Sequence, residues 1–380
     1  GTTIWTAGAV RMSGGTFNNS NQFTASTAGV GGAGLQSFGS GGVNAFNNTG
    51  TFTKVGPGEV SFSVLAAGVA FNSLGTISLN EGMLTLAGGG TMSTPLTVHP
   101  AAAFTLGDTY TFTGNGSING SGAVNFTGGT HSLPAGRFNP TGPVNFSGGT
   151  ITISTPFTPA ALGPIGATVT FQAAVNWSGD LTITGTASFS TAHTFSNLVL
   201  AGTLAGAGDV TIPGTITWSS GAMTGTGKTN SLAGGSLTLA STGAKMLSRT
   251  LNSFGAAVWT GGDLGLAGGT FNNNGSFTAD SAATLLAYGN SGTNLFISNG
   301  TFTKLGAGET RFTTNITGAA FNNIGTVAVL AGQLTLGGGG TASSAFNVAS
   351  GAVLSLAGNY TFSASGSIAG AGEVRFAGGT

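Results

Sequence analysis

The sequence predicts an all-β fold, a parallel β-solenoid with about 20–25 residues in each coil. Helix signals are absent, because glycine recurs every few residues and the polar helix formers Glu, Lys, Arg and Gln are few. Apolar and small polar residues alternate instead in short runs, such as 169–171 and 334–336, which is typical of half-buried strands. Gly-Gly, Asn-Gly and Ser-Gly pairs separate these runs and predict turns.

A long internal repeat organises the chain. Residues 51–59 read TFTKVGPGE and residues 301–309 read TFTKLGAGE, so seven of nine positions match at an offset of 250 residues. Near the start the offset becomes 254, since Trp5 matches Trp259, and a four-residue difference in one loop accounts for the change. The chain therefore holds about one and a half copies of the repeat, and we expect it to belong to a longer tandem array.

This repeat sets the predicted organisation. We expect residues 1–130 to be the first half of the unit, 131–254 the second half and 255–380 a second copy of the first half, within one continuous solenoid. A shorter period lies inside the unit, because VNFTGGT at 124–130 returns as VNFSGGT at 144–150. Periods of about 20–25 residues indicate solenoid coils, of which we expect roughly 16 to 19.

Each coil is predicted to make two or three strands and to stack on the next coil about 4.8 Å away. Inward residues then form ladders of like side chains. The chain has 26 Phe and only 3 Tyr, which suits an apolar interior where a tyrosine hydroxyl would have no hydrogen-bond partner. Asn48, Asn273 and Asn323 recur at turn positions and are expected to hydrogen-bond along the axis as an asparagine ladder. The competing all-β interpretation is an outer-membrane barrel, which needs strands of about 9–11 residues and aromatic girdles.

Composition excludes several classes of protein. Charged residues make up 5 % of the chain, nine basic and nine acidic side chains cancel, and cysteine is absent. A nucleic-acid-binding protein needs a basic face, and a thiolate metal site or a disulfide scaffold needs cysteine. No run of about 18 apolar residues indicates a membrane helix, and no signal peptide is visible. We expect no nucleic-acid partner, no membrane insertion, no metal and no cofactor.

The most distinctive charged residues are Lys54 and Glu59, which return as Lys304 and Glu309. We expect each pair to form an ion pair across the Gly-x-Gly turn, and a grip on a ligand is the functional alternative. Three further Gly-x-Gly segments precede strand-like runs rather than helices, which predicts turns and not phosphate loops, at 120–122, 206–208 and 370–372.

The remaining polar candidates form no catalytic or metal-binding pattern. The histidines lack HxH or HExxH spacing and are expected to be isolated on the surface or in turns: His99, His131 and His193. The aspartates lie far apart, without the once-per-coil spacing of calcium-binding repeats: Asp108, Asp180, Asp209, Asp263 and Asp280. We predict no enzyme and no catalytic, cofactor-binding or metal-binding residue, while coil stacking leaves open an active site of clustered carboxylates.

Tryptophan and threonine suggest two kinds of binding surface. Trp177, Trp218 and Trp259 are spaced 41 residues apart, and with Trp5 they could form a sugar-stacking stripe, although packing in the core or a groove is favoured. Thr-x-Thr pairs occur, as at Thr51 and Thr53, and would indicate ice binding if they continued from coil to coil. The sequence predicts that they do not.

The segment that contains Lys54 resembles a known family of repeats. TKVGPGE at 53–59, followed by GTISLNEGMLTL at 75–86, resembles the passenger-associated repeat of autotransporters, and residues 303–336 match again. The family pattern runs roughly T-K-x-G-x-G-x-L-x-L and continues with an N-x-G-x-L-x-L strand, whereas Glu59 and Glu309 stand where a small polar residue is common. The wider chain is similar to bacterial β-strand-repeat surface proteins and filamentous adhesins. The resemblance implies a secreted β-solenoid.

These observations predict a structural role on a bacterial surface, as an extracellular segment of a fibre, sheath or adhesin stalk. Nearest-neighbour stacking stabilises repeat folds, and near-zero net charge removes the repulsion that keeps molecules apart. The expected partners are copies of the same chain, joined end to end or laterally. The alternative is an adhesin that binds glycans or a host surface, and the third hypothesis is a polysaccharide-degrading β-helix enzyme.

Overall fold

A computed structural model describes residues 1–27, 35–39, 41–62, 68–313 and 317–379. These residues form 50 strands and no helix, so the predicted all-β class is confirmed. Neighbouring strands pair in parallel, and they stack as a β-solenoid of about 18 turns, as predicted. The chain separates into two compact units, residues 1–177 with 185–190 and residues 178–184 with 191–380. The repeat boundaries at 130 and 254 stay a prediction.

Three parallel sheets build each unit, and a coil passes through them in turn. We name the sheets after residues of the repeat: the Lys sheet (Lys54, Lys304), the Glu sheet (Glu59, Glu309) and the Asn sheet (Asn48, Asn323).

In the first unit the Lys sheet consists of Thr2–Trp5, Gln22–Ser26, Thr51–Val55, Thr76–Leu79, Pro95–Val98, Ser117–Gly120 and Phe138–Pro140. The Glu sheet consists of Ala9–Met12, Leu35–Gly39, Glu59–Phe62, Gly82–Leu86, Ala102–Leu106 and Ala161–Ile165. The Asn sheet consists of Thr16–Asn19, Ala45–Asn48, Ala70–Ser73, Gly90–Met92, Tyr110–Phe112, Thr168–Phe171 and Thr186–Phe189. Two longer strands of 11 residues each are Ala123–Leu133 and Pro143–Ile153. The first part of each strand pairs within the Glu sheet, and the last part pairs within the Asn sheet.

In the second unit the Lys sheet consists of Leu181–Ile183, Leu198–Leu200, Thr215–Trp218, Ser236–Leu239, Ala256–Trp259, Ser276–Ala279, Thr301–Lys304, Thr326–Val329, Ala345–Val348 and Ser367–Gly370. The Glu sheet consists of Thr203–Ala205, Gly221–Met223, Lys245–Leu247, Leu264–Ala267, Leu285–Ser291, Glu309–Thr313, Gln333–Leu336, Val353–Leu356 and Glu373–Phe376. The Asn sheet consists of His193–Thr194, Val210–Ile212, Lys228–Ser231, Thr250–Ser253, Thr270–Asn273, Leu295–Ser298, Ala320–Asn323, Gly340–Ala342 and Tyr360–Phe362.

Stacked phenylalanines fill the interior between the sheets. Phe17, Phe46 and Phe71 stand in line on the Asn sheet, with ring centroids 5.1 and 5.3 Å apart and nearly parallel rings. Phe52 of the Lys sheet meets Phe46 edge-on, at 5.8 Å and 82°. The second unit repeats the first ladder, at 4.9 and 5.3 Å, with Phe271, Phe296 and Phe321. The predicted stacking of like residues along the coils is therefore confirmed.

Asparagines connect the turns of successive coils. Asn19 Nδ2 donates to Asn48 Oδ1 at 2.7 Å, and Asn48 Nδ2 donates to Ser73 Oγ at 3.0 Å. Asn273 and Asn323 also donate from Nδ2 to backbone carbonyls of the next coil, at 2.9 and 3.2 Å. All three positions therefore bond from coil to coil, and Asn48 pairs with another asparagine as expected, whereas Asn273 and Asn323 bond to backbone carbonyls instead.

Close approach of the coils explains part of the glycine content. At the corner between the Asn and Lys sheets, a Cβ on Gly300 would clash with the carbonyl oxygen of Gly275 in the preceding coil. A Cβ on Gly325 would clash in the same way with the carbonyl oxygen of Gly300. Only glycine fits such a contact.

Candidate functional site

The Lys-sheet strands end on an inward ladder that contains the lysines of the repeat. In the first unit the residues in register are Trp5, Ala25, Lys54, Leu79 and Val98. The second unit has the same order, with Trp259, Ala279, Lys304, Val329 and Val348. Lys54 is fully buried and Lys304 is 1 % exposed. A cation therefore occupies a core position in each copy of the repeat.

Oxygen atoms of the neighbouring turns enclose the Lys54 ammonium. Nζ donates to the carbonyls of Gly56 at 2.5 Å, Glu81 at 3.0 Å and Val55 at 3.1 Å, and to Thr27 Oγ1 at 3.1 Å. Thr27, Gly56 and Glu81 follow three consecutive Lys-sheet strands. The ammonium therefore supplies donors to turn carbonyls that need partners and connects three coils.

Lys304 repeats this arrangement in the second unit. Its Nζ donates to the carbonyls of Gly306 and Ala331, which stand 250 residues after Gly56 and Glu81. The contact is therefore a property of the repeat.

Two further buried cations bond to turn carbonyls in the second unit. Lys245 is fully buried, and its Nζ donates over 2.9–3.2 Å to the carbonyls of Ser241, Gly243 and Gly261. Arg249 is 3 % exposed, and its guanidinium donates over 2.7–3.3 Å to the carbonyls of Gly208, Thr224, Gly227 and Lys228. Sequence reasoning missed both residues, because they have no counterpart in the other copy of the repeat.

The predicted ion pairs of Lys54 with Glu59 and of Lys304 with Glu309 are wrong. Each ammonium points into the turn, while Glu309 forms an ion pair with Arg311 on the outside of the Glu sheet, at 3.0 Å. A different carboxylate favours the charged form of each buried cation: Glu81 for Lys54, Asp263 for Lys245, Asp280 for Lys304 and Asp209 for Arg249.

Basic and acidic side chains differ in how often they are buried. The described ranges include every charged residue of the chain, and four of the nine basic side chains are buried, whereas none of the nine acidic ones is. The unburied surface therefore carries five cations and nine carboxylates. The surface is acidic although the net charge of the chain is zero.

The buried lysines predict how stability changes with pH. Burial lowers the pKa of Lys54 from 10.5 to about 8, with Glu81 acting in the opposite direction, and also lowers the pKa of Lys245 and Lys304. Between those two pKa values the unfolded chain holds more protons at Lys54 than the folded chain, so the free energy of unfolding rises with pH. We expect the Tm, followed by circular dichroism, to rise as pH increases above about 8.

The Lys54→Met variant is the matched comparison for this titration. Its Tm should rise less over the same pH range, because two lysines with lowered pKa remain. A wild-type Tm that stays level or falls between about pH 8 and pH 10 would contradict the assignment.

Three of the four tryptophans are core residues, as favoured by the sequence. Trp218 and Trp259 are fully buried and Trp5 is 8 % exposed, so none of these rings can stack on a sugar. The indole N–H of Trp218 and that of Trp259 each donate to a carbonyl of the following turn, at 3.0 and 2.8 Å. Trp177 is half-buried and lies outside the strands. The proposed stripe is therefore wrong for three of its members.

Two of the three histidines lie in strands and are buried, contrary to the prediction of a surface or turn position. His131 is 1 % exposed with Nε2 2.9 Å from Gly128 O, and His193 is 7 % exposed with Nδ1 2.7 Å from Thr191 O. Burial lowers the pKa of both imidazoles. Among the described residues, no group of three or more His, Asp or Glu side chains is arranged to hold a metal ion. The Gly-x-Gly segments form turns, as predicted, with positive φ at Gly120, Gly206 and Gly370.

The Thr-x-Thr pairs do not continue from coil to coil, as predicted. Thr51 and Thr53 are in register with Thr76 and Ser78 of the next strand. In the second unit the pair at 301–303 lies beside Ser276 and Thr278. All of them project outward, because the residue between each pair is buried. The pattern is interrupted, because Gln22 stands beside Thr51 and Ala328 stands beside Thr303.

An open groove on the Glu sheet of the second unit contains a polar cluster centred on Glu309. Its carboxylate accepts hydrogen bonds from Arg311 at 3.0 and 3.2 Å, from Gln333 Nε2 at 3.3 Å and from Thr335 Oγ1 at 2.5 Å. Thr335 and Ser355 project outward but are only 8 % and 4 % exposed, so this face is concave. The cluster was not predicted, because coil register brings its members together.

Comparison with known proteins assigns no relative. No known protein family, curated protein or solved structure matches the chain. None of the described segments forms a helix long and apolar enough to cross a membrane. The fold is that of repeat proteins in general, and the resemblance to passenger-associated repeats rests on the motif alone.

Proposed function

We propose that the chain is a structural segment of an extracellular β-solenoid, which builds a fibre, sheath or adhesin stalk on a bacterial surface. One observation carries the proposal: four buried cations donate to turn carbonyls and hold successive coils together. Their hydrogen bonds complete the backbone of the turns, which is a structural task. We propose a role that is structural and not enzymatic.

The organisation of the coils supports this role. Each coil bonds to the coils beside it, so adding copies of the repeat extends the same set of contacts. The ladder from tryptophan through lysine to valine occurs in both units. The motif resemblance supports the extracellular location and the bacterial surface.

Electron microscopy tests the proposal on the purified chain and on cells of its source. Immunogold with an antibody against the chain should label the cell surface or fibres that leave it. The purified chain should appear as filaments or as discrete rods. Label confined to the cell interior in thin sections would contradict the proposal.

The Glu309 cluster favours a second candidate function, the binding of a surface glycan. A carboxylate, a guanidinium and an amide on a concave face are groups that bond to sugar hydroxyls. A glycan array probed with the wild type and with Arg311→Ala tests it, since Arg311 is half-exposed and its loss should spare the fold. Equal binding by both proteins would reject the groove.

A further inference from the structure

One outer face of the second unit lacks charge. The ten Lys-sheet strands between residues 181 and 370 present only Thr, Ser, Ala, Val and one Asn outward, and we name these positions the uncharged face. The other two sheets carry charged outward residues, Lys228 on the Asn sheet and two Glu–Arg pairs on the Glu sheet. The contrast is within one unit, so it does not follow from the low charge of the chain alone.

Exposed hydrophobic side chains concentrate at the same place. Among the described residues of the second unit, eight large hydrophobic side chains are exposed, and seven lie on the uncharged face or at the two corners beside it. Those seven are Val199, Leu232, Phe254, Val258, Leu305, Ile324 and Leu330. Exposed apolar side chains concentrated on one face are typical of a site of protein–protein contact.

We infer that the uncharged face binds the same face of a second copy of this chain. The inference rests on the proposed structural function and adds the surface through which copies join laterally. A charged partner gains nothing from this face, because it offers no opposite charge. The occupant must itself present an uncharged surface, and a second copy does so.

The period of the face also favours a second copy. Its rungs repeat at the strand spacing of about 4.8 Å, so a partner matches every rung only if it has the same spacing. Small side chains of facing sheets interdigitate at about 10 Å, as between packed β-sheets. A two-fold axis would place the same residues on both sides of the contact.

The area is sufficient for a specific contact. Ten strands at about 4.8 Å, each about four residues long at roughly 3.3 Å per residue, give about 600 Å² on each partner. The total of about 1,200 Å² reaches the lower end of specific interfaces, before the corner hydrophobics are added. We therefore expect a reversible association.

Sedimentation velocity of the full chain over a range of concentrations tests the inference. The double variant Val258→Lys/Thr303→Lys places two charges on the uncharged face, two strands apart. The matched control, Thr250→Lys/Ile297→Lys, also places two charges two strands apart, on the outward side of the Asn sheet. None of the four side chains is buried, so both variants should fold, which circular dichroism checks.

The expected result is that the wild type and the control associate with rising concentration, whereas the Val258/Thr303 variant sediments as a monomer with at least tenfold weaker association. Equal association by all three proteins, or a wild type that stays monomeric throughout, would overturn the inference. Neither result affects the immunogold test. The proposed surface location is therefore tested separately from the lateral contact.

Discussion

The Trp259→Ala variant should lose about 3–5 kcal/mol of unfolding free energy in the coils around the substitution, because truncation of a large buried aromatic leaves a cavity. Trp259 is fully buried, lies beside Leu239 and Ala279 in the inward ladder, and meets Phe277 edge-on at 6.5 Å. Its loss also removes the N–H that donates to Gly262 O at 2.8 Å. The part-buried carbonyl of Gly262 then lacks this donor, which adds to the cost.

Hydrogen exchange read by mass spectrometry is the suitable measurement, because repeat arrays do not unfold in one all-or-none step. Peptides that cover 236–279 should lose protection, and peptides many coils away should not. Phe254→Ala is the control, since Phe254 is an aromatic residue at a neighbouring corner that is 44 % exposed. A similar loss of protection in both variants would contradict the prediction, because it would mean that the buried Trp259 stabilises its coils no more than an exposed aromatic residue does.

The Lys54→Met variant should lose about 2–4 kcal/mol, because the carbonyls of Val55, Gly56 and Glu81 lose a shared donor inside the protein. Methionine keeps most of the apolar stem, so the change isolates the ammonium. The effect should appear as a lower urea midpoint and as faster exchange in peptides that cover 51–82.

Lys228→Met is the matched control, because Lys228 is exposed and its substitution should change stability by less than about 0.5 kcal/mol. A Lys54→Met variant as stable as the wild type would mean that the cost of burying the charge offsets its hydrogen bonds. Buried ion pairs in other proteins show that such an offset occurs. The double variant with Lys304→Met should show independent losses, since the two lysines share no partner.

Part of the site could have been found in the sequence. Alternation along 51–54 places Phe52 and Lys54 on the same side of the strand, so the buried phenylalanine already implied an inward lysine. The expected partner was wrong because Glu59 is near only along the chain. Glu81 lies one coil away, and sequence spacing does not show which residues of separate coils meet.

Local features of the sequence determined the all-β class, the coil period, the glycine turns and the asparagine positions. They depend on alternation and on backbone geometry within a few residues. The burial of four cations, the Glu309 groove and the uncharged face depended on tertiary structure. These features need the register between coils, and loops of different length change that register without changing the pattern of any single strand.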